Sequence, residues 1–159
     1  MTAWTIREAR PDDVAAIHAR IVDLAVYERE PEAVTGTAAD LHDALFREAP
    51  AVFCHVAELD GEVVGIALWY LTYSTWEGRH GIHLEDLYVM PEHRGTRIGL
   101  GLLRTLAGIC AARGYRRLEW SVLTWNQPSI DFYEAIGARP QEEWMTYRLD
   151  GEALTGFAA

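Results

Sequence analysis

Residues Leu84 to Gly101 read LEDLYVMPEHRGTRIGLG and leave little freedom over what they form. An apolar run rich in strand formers, His80 to Met90, ends at a loop from Pro91 to Gly95. A helix is expected from about Arg97 to Arg113, because Ile98, Leu102, Leu103, Leu106 and Ile109 recur on one face. Gly114 stops it. A strand joined so tightly to an amphipathic helix has one economical arrangement, with the helix packed back on a sheet.

The remaining segments supply that sheet. Trp4 to Ala9 alternates and reads as a first strand. Pro11-Asp12-Asp13 opens a helix that runs to Tyr27, with Val14, Ile17, Ile21, Leu24 and Ala25 at helical spacing. Residues 28 to 36 read as a loop, and Thr37 to Phe46 as a short second helix. Ala51 to Leu59 and Val63 to Tyr73 flank Asp60-Gly61, a strong hairpin signal. Beyond Gly114, a strand is expected at Arg116 to Leu123, a helix at Pro128 to Ile136 and a last strand at Trp144 to Leu149. The order β-α-α-β-β-β-α-β-α-β implies a mixed, mostly antiparallel α/β sheet flanked by helices. With 159 residues and no repeat, linker or low-complexity segment, one domain spanning 1–159 is expected.

Charge and composition exclude several classes. The chain carries 24 acidic and 14 basic residues, a formal net charge of −10. That balance argues against a nucleic-acid backbone as partner. It suits a cationic substrate, and equally a surface that is only kept soluble. MTAWTIREAR is charged where a signal peptide would be apolar. No apolar run approaches the ~20 residues that span a bilayer. Cys54 and Cys110 lie in apolar stretches without metal or redox spacing, so buried free thiols are expected. A soluble protein of the reducing cytoplasm, not bound to membrane, fits these features.

The turn before the long helix is where chemistry concentrates. A helix N-terminus presents unpaired N–H donors and the positive end of the dipole, both favourable to phosphate. Gly95 and Gly99 permit close backbone approach, and Arg94 and Arg97 add local positive charge. By chemistry alone an anion site and an ordinary tight loop are equally good readings. Rival motifs are absent: GxxxxGK[ST], GxGxxG after a strand, GxSxG and HExxH. His80 and His83, three apart on a strand, face opposite sides and make a poor metal pair, so no metal is expected.

Glu85 to Gly99 resembles the acetyl-CoA motif of the GNAT N-acetyltransferases: a strand ending in V-x-P-x-x-R, then R-x-x-G-x-G/A opening a helix. More narrowly, the chain is similar to the diamine (spermidine/spermine) N-acetyltransferases and the related thialysine N-epsilon-acetyltransferases. The similarity runs from Ile6-Arg7 almost to the C-terminus. It includes Leu24 to Glu28, YSTW at 73–76, LEDLYVMPEHRG, Trp125-Asn126-Gln127, Phe132-Tyr133 and Ile136-Gly137-Ala138. YSTWEGR, YVMPEHRG and TWNQ stand nearer the thialysine branch. Two departures stand out. Arg97 occupies a position where the family usually has Gly, and the segment after Ala138 is shorter, which loosens the match of Glu142 to a substrate-binding glutamate.

The resemblance implies direct transfer of acetyl from acetyl-CoA to a primary amine of a small cationic substrate. A lysine-like amine, with a pKa near ~10.4, must lose a proton before it attacks. Glu85 matches the family position for that role, and burial in an apolar strand is expected to raise its pKa. Tyr133 matches the tyrosine that protonates the leaving thiolate. A backbone N–H at Leu87, Tyr88 or Val89 is the expected oxyanion donor. The pyrophosphate of acetyl-CoA is expected on Arg94, Gly95, Thr96, Arg97, Ile98, Gly99 and Leu100, with Asn126, Ser129 and Tyr133 touching pantetheine or nearby groups. Tyr27, Glu28, Trp76, Glu85, Asp86 and Glu142 are the expected amine site; an ammonium over an aromatic ring and beside carboxylates is physically reasonable. The resemblance also implies a homodimer. A protein-lysine or N-terminal acetyltransferase, an acyl-CoA sensor without catalysis and a purely structural domain are the competing readings; Glu85 and Tyr133 together argue against the sensor.

Overall fold

The computed structural model describes residues 3–159. The chain forms two compact units, one ending at Ser121 and the other spanning Val122–Ala159. The first contains β1 (Thr5–Glu8), α1 (Val14–Tyr27), α2 (Ala38–Phe46), β2 (Val52–Leu59), β3 (Glu62–Ser74), β4 (Arg79–Val89), α3 (Ile98–Arg113) and β5 (Leu118–Glu119). Its sheet has the order β1-β2-β3-β4-β5. The first three pairings are antiparallel; β5 joins β4 in parallel, after the crossover through α3. This is the expected mixed α/β fold.

The two sheet faces are covered differently. Cys54 and Val56 of β2, Ile66 and Leu68 of β3 and Tyr88 of β4 face α1 and α2, where Ile17 and Leu45 complete a buried core. The opposite face carries α3, whose Ile98, Leu102, Leu103 and Leu106 are buried. Each such side chain adds about 1.5–3 kcal/mol relative to exposure, so the apolar stripe read from the sequence is what docks the helix. Local chemistry then sets the helix ends. Thr37 and Asp40 form a reciprocal capping box at α2. Arg7 bonds Asp13 and Glu58, each at 2.7 Å, tying the start of α1 to β1 and β2. That contact holds the Asp13 carboxyl below the usual aspartate range.

The second unit contains α4 (Gln127–Ala135) and α5 (Gly151–Phe157). Here two expectations need correction. The strand expected at Arg116 to Leu123 is only Leu118–Glu119, and the last strand at Trp144 to Leu149 is absent among the described residues. A strand needs a neighbour to bond its backbone. Residues 144–149 have none, and Trp144, Met145 and Tyr147 stand exposed. α5 lies in a segment for which no helix was expected.

Candidate active site

The register of β3 against β4 contains the decisive irregularity. Leu68 pairs with Asp86, but Trp69 pairs with Leu84, so Glu85 is an extra residue on β4. An extra residue of this kind interrupts the in-and-out alternation of a strand. Asp86 shares the α1 face with its partner Leu68. Glu85 reaches the same space, since both carboxylates line one cavity. Two consecutive residues thus present acids on one side of a strand, which regular pleating forbids.

That cavity has a volume of about 570 Å³, within the range for small-ligand sites. Ile21, Leu24 and Ala25 of α1 form an apolar wall, and Leu41 and Ala44 of α2 another. Glu28, at the end of α1, and Asp40 add acids at its rim, while Thr35 and Thr37 add hydroxyls. Among the described residues no Lys or Arg lines it. Burial, with Glu85 and Glu28 nearby, pushes the Asp86 carboxyl up to about 6. Burial and Glu85 also raise that of Glu28. Glu85 itself has a side chain 54% exposed and lies 3.6 Å from His83 Nε2. The desolvation expected at Glu85 therefore falls on Asp86 instead, because the extra residue carries Glu85 toward the open mouth.

Past His83 the outer edge of β4 has no strand partner among the described residues, since β5 pairs only with Ile82 and His83. The Met90 N–H donates to the Val64 carbonyl of β3 at 2.9 Å. Alternation along the ladder then turns the N–H groups of Leu87 and Val89 to the open edge and that of Tyr88 toward β3. Of the three donors expected, Leu87 and Val89 are the two that face outward.

The loop from Arg94 to α3 follows at once. Gly95 has φ +79°, and a side chain there would meet nothing within 4 Å. Arg97 has φ 69° and ψ 13°, the left-handed region. Glycine favours that region, and so the departure at this position has a conformational meaning. The first intrahelical bond of α3 runs from the Gly101 N–H to the Arg97 carbonyl at 2.9 Å. The N–H groups of Ile98, Gly99 and Leu100 precede it and have no acceptor within the helix. This set of donors fits an anionic group. Thr96 is held from both sides: its hydroxyl donates to the His93 carbonyl, and its own carbonyl accepts from Trp4 Nε1. The Arg94 side chain folds back against the end of β4, its Nε bonding the Val89 carbonyl at 3.0 Å.

Other expected residues lie elsewhere. Tyr27 packs against the Arg94 guanidinium, 5.2 Å from its ring centroid. Trp76 stands 85% exposed in the β3–β4 turn. It follows Ser74↔Arg79 and lies about 20 Å along the strands from Leu68↔Asp86, so it does not reach the cavity. In the second unit, Asn126 is buried and precedes α4, while Ser129 and Tyr133 follow at helical spacing along the same stripe. Phe132 and Tyr133 have ring centroids 5.6 Å apart. Glu142 is exposed and outside any helix or strand. Sequence reasoning missed the wall supplied by α2 and residues 33–37, although the apolar positions of α2 signalled a packed face. It also missed the contacts of Arg94 with Val89 and Tyr27.

The profile of the Acetyltransferase (GNAT) family matches residues 10–138. The thialysine N-epsilon-acetyltransferase of Bos taurus is 39% identical over 164 residues, covering 96% of each chain. The Homo sapiens spermidine/spermine N(1)-acetyltransferase-like protein 1 is 33% identical, over 99% of this chain and 24% of its own length. Among solved structures, an integron cassette protein from the mobile metagenome of V. cholerae superposes with a TM-score of 0.83 at 25% identity, covering 99% of both chains. The chain therefore belongs to the GNAT acetyltransferase family and is an N-acetyltransferase acting on amines.

Proposed function

We propose that this enzyme transfers acetyl from acetyl-CoA to a primary amine of a small cationic substrate, a thialysine- or lysine-like amine or a polyamine. The observation that carries this reading is the pair of consecutive carboxylates, Glu85 and Asp86, in one cavity beside the open edge of β4. A substrate ammonium binds between Glu28, Glu85 and Asp86, with its alkyl chain along Ile21, Leu24 and Ala25. The carboxylate pair takes a proton from the ammonium, directly or through water; a carboxyl near 6 is well matched to that task at neutral pH. The freed amine nitrogen attacks the thioester carbonyl carbon, and the resulting oxyanion accepts a hydrogen bond from one of the outward-facing N–H groups, that of Leu87 or that of Val89. As the C–S bond breaks, the sulfur takes a proton from the Tyr133 hydroxyl, the nitrogen releases its second proton, which restores that hydroxyl through water, and the amide product leaves with free CoA thiol. The N–H groups at the start of α3 hold the pyrophosphate, and Asn126 and Ser129 attend the pantetheine arm.

Both units form one catalytic domain in this reading; the family match from residue 10 to 138 crosses their boundary and supports it. The exposed Trp144, Met145 and Tyr147 support a homodimer, and the two buried free cysteines support a reducing, cytoplasmic setting. The test is release of CoA thiol from acetyl-CoA with thialysine, lysine, spermidine and putrescine offered in parallel. Turnover with at least one is expected, with Tyr133→Phe slowing it by roughly 10²-fold or more. Acetyl-CoA binding without turnover of any amine, peptide lysines included, would leave a sensor.

A further inference from the structure

Arg94 is the first arginine of the helix-start motif, and its chemistry in this fold is unlike that of a simple phosphate ligand. Its Nε donates to the Val89 carbonyl at 3.0 Å. Its guanidinium carbon lies 5.2 Å from the Tyr27 ring centroid and 5.4 Å from that of Tyr88. These partners belong to different parts of the site. Tyr27 ends α1 and directly precedes Glu28, which lines the cavity. Tyr88 lies two residues beyond Asp86 on the same strand, and Val89 closes that strand. One planar group therefore joins the end of α1 to the end of β4. A phosphate accepts either cation, arginine through its fork and lysine as a point charge. A planar fork that stacks on rings while holding a carbonyl is available only to arginine. A second arginine ties α1 to the sheet separately: Arg20 Nη1 donates to the Val63 carbonyl of β3 at 3.2 Å and to Met90 Sδ, just past β4, at 2.9 Å.

We propose that Arg94 is a positioning residue which, through Tyr27 and the Val89 carbonyl, sets the spacing between Glu28 on α1 and the Glu85–Asp86 pair on β4. The amine site would then be tuned from the phosphate loop. This rests on the amine-acetyltransferase reading for its kinetic consequence, though not for the structural join itself.

The deciding variant is Arg94→Lys, which keeps the charge and removes the planar fork. Amine KM is measured at saturating acetyl-CoA, the acetyl-CoA Kd by calorimetry, and amide hydrogen exchange over residues 24–29 without any ligand. The expected result is an amine KM raised about tenfold, an acetyl-CoA Kd changed by less than about threefold, and faster exchange at the end of α1. An unchanged amine KM, or unchanged exchange, overturns the proposal; so does a loss confined to acetyl-CoA affinity. Should Arg94→Lys fail to fold, Tyr27→Leu breaks the same contact from the other side and is judged by the same two readouts. If the wild-type enzyme turns over no amine, the function reading fails on its own, and the exchange measurement alone decides whether Arg94 holds α1.

Discussion

Asp86 binds its proton more tightly in the folded chain than an aspartate does in an unfolded one, because burial and two neighbouring acids disfavour its charge. The folded state therefore has its full advantage below about pH 4 and loses it as pH rises through about 6. At neutral pH the charged carboxylate is unfavourable, and in the proposed reading an incoming ammonium relieves it. Asp86→Asn should accordingly stabilise the unliganded protein at about pH 8 by on the order of 2 kcal/mol, and hardly at all near pH 4. The same variant should raise the amine KM. Thermal melts at the two pH values, with kinetics alongside, check this; equal melting shifts at both would remove the titration from the explanation. Arg97 shows a different residue-scale compromise. Its left-handed backbone costs roughly 1–2 kcal/mol for a side-chain-bearing residue, yet its N–H still precedes the donor set of α3.

At the scale of elements, the site depends on how closely α3 approaches the sheet. A Cβ on Gly65 of β3 would lie 3.1 Å from Ile98 Cγ2 and 3.2 Å from the Tyr88 carbonyl oxygen. Ile98 is the first residue of α3, so a side chain there would push the donor-bearing turn off the strand. Gly65→Val is expected to cost about 1–3 kcal/mol of stability and to weaken acetyl-CoA binding as well. Urea unfolding and calorimetry measure the two effects; wild-type affinity in a destabilised variant would show that the turn tolerates displacement. The irregular pairing at Glu85 acts at this scale too. It changes no residue, only the direction in which one acid points.

For the molecule as a whole, charge and exposed surface make the prediction. Trp144, Met145 and Tyr147 are 72%, 77% and 90% exposed, and we propose them as the contact of a homodimer. A homodimer covering it should sediment at twice the chain mass of 17.9 kDa. Tyr147→Glu should shift that equilibrium toward the monomer, and a wild-type monomer at high concentration would exclude the assignment. The cavity shares the sign of the whole chain, whose net charge is −10, which draws a cationic substrate and not an anionic one.

Several features were legible in the order of residues alone. The periodicities of α1 and α3, the Asp60-Gly61 hairpin and the donor-rich turn before α3 are local, and local chemistry carries them. The family pattern likewise sits in contiguous stretches. Other features depend on partners far along the chain. The strand expected at Trp144 to Leu149 had the right composition but found no neighbour to bond among the described residues. Burial was expected at Glu85 and came to Asp86, because the register against Leu68 and Trp69 decides which acid is desolvated. Arg94 reads from the sequence as a phosphate charge, and its packing against Tyr27 and Tyr88 depends on residues far along the chain. Sequence by itself determined which elements form and which chemical groups they carry, since propensity and spacing act over a few residues. Only the tertiary structure decided which groups face one another and how far they are removed from water, since those depend on contacts between residues distant in the chain.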